Sequence, residues 1–184
     1  TFSSTASNLV PGDTNNTGDV FVRDLLLGST TRVSVASNGT QGDRASGAPS
    51  ISADGRYVAF ESLASNLVSG DGNGWPDIYV HDRQSSTTVL VSKSSGGVQA
   101  NFPSFKPSIS ADGRHVVFTS YATNLVAGDV EFTNDVFVHD LDDATTHQVS
   151  VASDGTPAAA NSDNPSISAD GSVVAFESLA SNLV

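Results

Sequence analysis

Phe60-Glu-Ser-Leu-Ala-Ser-Asn-Leu-Val68 recurs along this chain, and its spacing decides the fold. The sister segments are Phe2-Ser-Ser-Thr-Ala-Ser-Asn-Leu-Val10, Phe118-Thr-Ser-Tyr-Ala-Thr-Asn-Leu-Val126 and Phe176-Glu-Ser-Leu-Ala-Ser-Asn-Leu-Val184. They begin at residues 2, 60, 118 and 176, a constant step of 58 with no insertion or deletion. The same register carries Pro49, Pro107 and Pro165, each followed by Ser-Ile-Ser-Ala-Asp-Gly, and Asp24, Asp82 and Asp140, each ending a short apolar run. A repeat of this length with turn signals inside it points to a solenoid, propeller or array.

Within one unit the pattern is entirely that of strands. Ala48-Pro-Ser-Ile-Ser-Ala53 reads as a first strand, with Pro49 near its start where no ladder donor is needed. Asp54-Gly55, repeated as Asp112-Gly113 and Asp170-Gly171, is a hairpin signal. Arg56–Ser62 follows as a second strand, apolar enough at its centre to be buried on both faces. Residues 66–76 form a loop by composition, Asp77–Asp82 a third strand, and Thr88–Ser92 a fourth, half-exposed one. No window sustains a 3.6-residue period. The fold class expected is all-β, with four antiparallel strands per unit and about three β-propeller blades in residues 1–184. The units start near residues 2, 60 and 118, with a partial fourth over 176–184. Phe60, Phe118, Val58, Val116, Ile109 and Ile167 are the expected core.

At this point the chain resembles the TolB-type, WD40-like propeller repeat of bacterial proteins. The resemblance rests on Pro-Ser-Ile-Ser-Ala-Asp-Gly-Arg-Tyr-Val-Ala-Phe-Glu-Ser over 49–62 and Asp-Ile-Tyr-Val-His-Asp over 77–82. It covers all three units. It implies blades of a kind used for surface binding, periplasmic scaffolding or as caps on peptidases, so it speaks to fold more than to function.

Composition removes several functions. The net charge is −12 with only eight Lys and Arg, no two adjacent, which argues against nucleic acid and against anionic lipid surfaces. No apolar run approaches a membrane span, and with no cysteine neither disulfides nor thiol chemistry are available. A Ser-, Thr-, Asn-, Asp- and Gly-rich chain without cysteine fits an extracellular or bacterial cell-surface protein. The chain opens and closes inside a repeat, so a segment of a longer array is expected. Three blades fall short of the four to eight that close a ring, so further repeats, a second copy or another protein partner must complete it.

The loop before the third strand carries the best chemical pattern. It places Asp13, Asn15 and Asp19 in the first unit, Asp71, Asn73 and Asp77 in the second, and Asp129, Glu131 and Asp135 in the third. Oxygen donors at positions 1, 3 and 7 of a loop suit Ca²⁺, which takes six to eight oxygens from carboxylates, amides, backbone and water. The alternative is that Asp and Asn set turn geometry by bonding their own backbone. Trp75 and Phe132 sit in variable loop positions and make a carbohydrate or protein contact surface a further expectation. Asp24, Asp82 and Asp140 read as acceptors for a following turn. His81 and His139, matched by Arg23, read as a tolerant surface position. No nucleophile elbow, metal-binding His pair or phosphate loop is present, and nothing singles out one glycosidase-like pair among twenty acids. The expectation is a non-enzymatic binding scaffold; the alternatives are a propeller cap on a larger secreted hydrolase and a carbohydrate-binding propeller.

Overall fold

The computed structural model describes residues 1–129 and 132–184, and every element in it is a strand. Three strands come first: β1 (Phe2–Ser4), β2 (Asp19–Asp24) and β3 (Ser29–Arg32). A four-stranded blade follows in β4 (Ser46–Ile51), β5 (Tyr57–Ser62), β6 (Asp77–Asp82) and β7 (Thr87–Leu90). Its sister is β8 (Ser104–Ile109), β9 (His115–Ser120), β10 (Asp135–Asp140) and β11 (Thr146–Gln148). The last sheet holds β12 (Ser162–Ile167) and β13 (Val174–Ser178). Each sheet runs antiparallel in chain order. The first therefore lacks an inner strand and the last lacks its two outer ones.

The hairpin signals hold. Gly55, Gly113 and Gly171 turn at φ 73°, 77° and 75°. At Gly113 a Cβ would overlap the Tyr57 ring, and at Gly171 the His115 ring, so glycine is needed for contact as well as for φ. The bonds Ala53 N–H to Ala111 O (2.9 Å) and Ala111 N–H to Ala169 O (3.0 Å) chain these turns from blade to blade. Each inner strand carries a bulge, at Gly47/Ser50, Phe105/Ser108 and Asp163/Ser166. There Ala48, Lys106 and Asn164 take positive φ.

The core lies between sheets. One cluster joins Val20, Val22 and Val33 to Val58, Phe60 and Tyr79; the next joins Ile78, Val80 and Val91 to Val116, Phe118 and Phe137. Five of the six residues expected inside are buried. Ile167 is only partly covered, because its sheet has two strands and none of the described residues packs beyond it. The histidines correct the sequence reading: His81 and His139 are 6% and 1% exposed, not on the surface. Thr88 and Thr146 each bond a loop of the preceding blade, through Val35 O and Lys93 O at 2.5 Å, and the histidine ring bonds that same threonine. Arg23, at the matching position of the first sheet, is exposed, and none of the described residues supplies such a loop against it.

Candidate functional site

The three aspartates that open β2, β6 and β10 are buried, and each is held in the same way. Ser34, Ser92 and Ser150 donate Oγ–H to Asp19, Asp77 and Asp135 at 2.5, 2.5 and 2.7 Å. The same hydroxyls accept the backbone N–H of Val20, Ile78 and Val136. Asn15 and Asn73 turn their amide nitrogens, not their oxygens, toward the carboxylates of Asp19 and Asp77 (2.9 and 2.8 Å). The same nitrogens bond Gly42 O and Ala100 O, two acceptors that set the amide orientation. Their oxygens accept the N–H of Thr17 and Trp75, the backbone turn that Asx residues favour.

What sits between the carboxylates differs from unit to unit. In the first, the Arg32 guanidinium lies 3.2 Å from Asp13 and 3.4 Å from Asp19. In the second, Gln99 Nε2 donates to Asp71 (2.8 Å) and Asp77 (2.7 Å), while the Tyr79 hydroxyl also bonds Asp71. Burial pushes the Asp77 carboxyl up to about 6, against the pull of its Ser92, Gln99 and Asn73 donors and helped by the Asp71 charge. Internal cationic and amide donors therefore occupy the place of an ion, and Ca²⁺ would have to displace them. In the third unit Pro157 stands where Gln41 and Gln99 stand, and Gln148 where Arg32 stands. Among the described residues, Asp135 accepts from the Ser150 and Thr133 hydroxyls. Beside it Asp129, Thr133, Thr156, Pro157 and Asn182 line a cavity of about 230 Å³. Glu131, the remaining candidate ligand, lies outside the described residues. Among those residues no group of three or more acids or histidines is placed to hold a metal.

Other repeated polar residues also serve geometry. Asp54, Asp112 and Asp170 accept from Ser52, Ser110 and Ser168 at 2.6 Å and from a turn N–H. Asp24, Asp82 and Asp140 accept the N–H groups of the turns that follow, as expected. Sequence reasoning missed the asparagine of the defining motif. Asn66, Asn124 and Asn182 each accept a backbone N–H (from Asp43, Asn101 and Ala159) and donate to a carbonyl (of Gln41, Gln99 and Pro157). This two-bond clip ties the exit of the second strand to the loop entering its own blade. A cleft of about 430 Å³ between the two full blades contains Asp82, which a bidentate Arg56 holds well below the usual carboxylate range. Arg114 there faces Asp142 at 3.3 Å. The acids of this cleft are thus matched by guanidinium groups, and no pair stands apart as a proton donor and acceptor.

The aromatic residues of the variable positions meet. Trp75 stacks on Phe102 (6.5 Å, 26°), and Phe132 stands edge-on to Phe102 (5.3 Å, 86°). Phe102 was not foreseen; comparing its repeat positions, Arg44 and Ala160, would have marked it as an outlier.

No protein-family model and no curated protein sequence matches the chain. Solved structures do. TolB from Acinetobacter baumannii aligns at 18% identity and TM-score 0.53 over 86% of this chain and 31% of its own. The putative TolB from Agrobacterium tumefaciens aligns at 19% identity and TM-score 0.52, over 90% and 52%. The chain thus spans about a third of one of these TolB chains and about half of the other. At these identities the likeness concerns architecture, and together with the blade-by-blade topology it gives this chain a TolB-like β-propeller fold.

Proposed function

We propose that this segment is part of a non-catalytic β-propeller that binds other proteins outside the cytoplasm, at the bacterial cell surface or in the extracellular space. The observation that carries this reading is how the repeated acids are used. In every unit they hold hairpins, strand junctions and turns, which leaves the variable loop positions as the surface free to differ. Further repeats of a longer chain, or another copy, complete the ring. Where an ion is part of the assembly, it is Ca²⁺ in the third loop, where the amide donors of the other two are replaced and Asp129 and Asp135 border a cavity. The test is a photo-crosslinking scan on intact cells, with one benzophenone side chain at an exposed residue in each loop of the full-length protein. Discrete adducts with another protein are expected from at least one loop. A scan that yields none, or turnover of chromogenic ester or glycoside substrates by the purified chain, would overturn the reading.

A further inference from the structure

On the reading of this propeller as a protein-binding scaffold, we propose that the ring cluster Trp75–Phe102–Phe132 is the docking surface, and that its occupant is an arginine- or lysine-bearing segment of a partner protein.

The repeat supplies an internal control. Position 75 is threonine in the other units, Thr17 and Thr133; position 102 corresponds to Arg44 and Ala160; position 132 corresponds to Asn16 and Gly74. The blades fold with small or polar residues at these positions, so the aromatics answer to no demand of the fold. Nor are two of them used for packing: Trp75 is 46% exposed and Phe132 71%. Phe102 alone leans on the core beneath and anchors the other two. Asn73 bonds Ala100 O and Asn101 N–H bonds Asn124, the same clips that join the first and second units, and only where the second and third units meet do they gather aromatic residues.

Its shape and charge define the occupant. Trp75 and Phe102 lie near-parallel, and Phe132 rises almost perpendicular beside them, so a flat floor meets an upright wall. A guanidinium stacks on such a floor, and cation–π attraction favours it over a neutral group. The described loop residues around the rings, 69–77, 99–103, 121–129 and 132–135, contain Asp71 and Asp129 at partly exposed positions and no Lys, Arg or His. The chain as a whole carries −12, which steers basic partners toward it. A neutral sugar could stack on the rings and donate hydroxyls to the acids, but it would gain nothing from their charge.

Trp75 is the chain's single tryptophan, so its emission reports on this surface alone. The probes are a blocked (Gly-Arg)₄ peptide, the same peptide with citrulline for arginine, and chitotetraose, each titrated into the 184-residue chain. The arginine peptide is expected to change Trp75 emission saturably and to weaken when salt rises from 20 to 300 mM. Phe132→Ala should weaken it about tenfold, the size of one lost cation–π contact, without lowering the melting temperature. Leu26→Ala, 98% exposed on the β2–β3 turn, should change nothing. Equal binding of the citrulline peptide, a response to chitotetraose alone, or no response to any probe would each overturn the proposal. Crosslinked adducts from loops remote from the rings would then still leave the scaffold reading in place.

Discussion

Asp77 and His139 are both buried ionisable residues, and burial drives them in opposite senses. Asp77 is raised to about 6 in the fold, above its ordinary value near 4, so the folded state holds its proton longer than the unfolded one. Its contribution is fully present below pH 4 and is lost as the pH rises through 6. His139 is lowered to about 4 by burial and by the Lys93 charge, and His81 is shifted the same way by burial. Their contribution is present above pH 6.5 and is lost as the pH falls toward 4. The two effects oppose each other across pH 4–6. His139→Gln should therefore gain urea resistance toward pH 4 relative to the parent, and Asp77→Asn should lose it. Urea midpoints at pH 4, 5, 6 and 7 measure this, and parallel curves for all three proteins would contradict it. The aspartates were legible in sequence as a repeated position, but the histidines were misread. Strand alternation says which face a side chain takes, and only the loop arriving from the previous blade says whether that face is covered.

At the scale of elements, hairpins and third strands were legible because their signals are local: Asp-Gly in a turn, alternation within six residues. The asparagine clips were not, since Asn124 meets Gln99 and Asn101 more than twenty residues away in sequence and nothing local marks the pair. Asn124→Ala leaves an N–H and a carbonyl without their partner at a partly exposed junction, and the expected loss is about 1–2 kcal/mol. Chemical denaturation reads it, and Asn124→Asp should recover part of the loss by keeping the acceptor. The calcium loops divide on similar grounds. Spacing alone made all three alike; what separates them is Arg32, Gln99 and Pro157, which arrive from other strands and loops. Millimolar CaCl₂ should thus raise the melting temperature of the parent and of Asp71→Asn, and should not raise that of Asp129→Asn. A saturated ion at a hundredfold its dissociation constant adds about 2.7 kcal/mol. A calcium shift that survives in Asp129→Asn and disappears in Asp71→Asn would place the ion in the second loop instead.

For the whole molecule, the strand inventory dictates how residues 1–184 behave by themselves. The first sheet has second, third and fourth strands without an inner one, and the last has an inner and a second strand without the rest. β13 and β1 are the same strand of the repeat, Phe176-Glu-Ser against Phe2-Ser-Ser. β1 pairs with β2 in the register Phe2 to Phe21, and β5 pairs with β6 in the matching register Phe60 to Tyr79. By that repeat, Phe176 of one copy would meet Phe21 of another, with β12 supplying the missing inner strand. β1 occupies that place and competes for it. Removing residues 1–10 leaves twelve strands per chain, and two such chains hold twenty-four, which is six complete four-stranded blades, within the range at which propellers close. Sedimentation should find the shortened chain a tighter dimer than residues 1–184. Phe176→Ala should weaken that dimer, because the ring that Phe60 and Phe118 bury in the full blades would be lost at the new junction. A shortened chain that sediments as a compact monomer would refute the exchange and leave the open edges to be covered by other repeats or another protein.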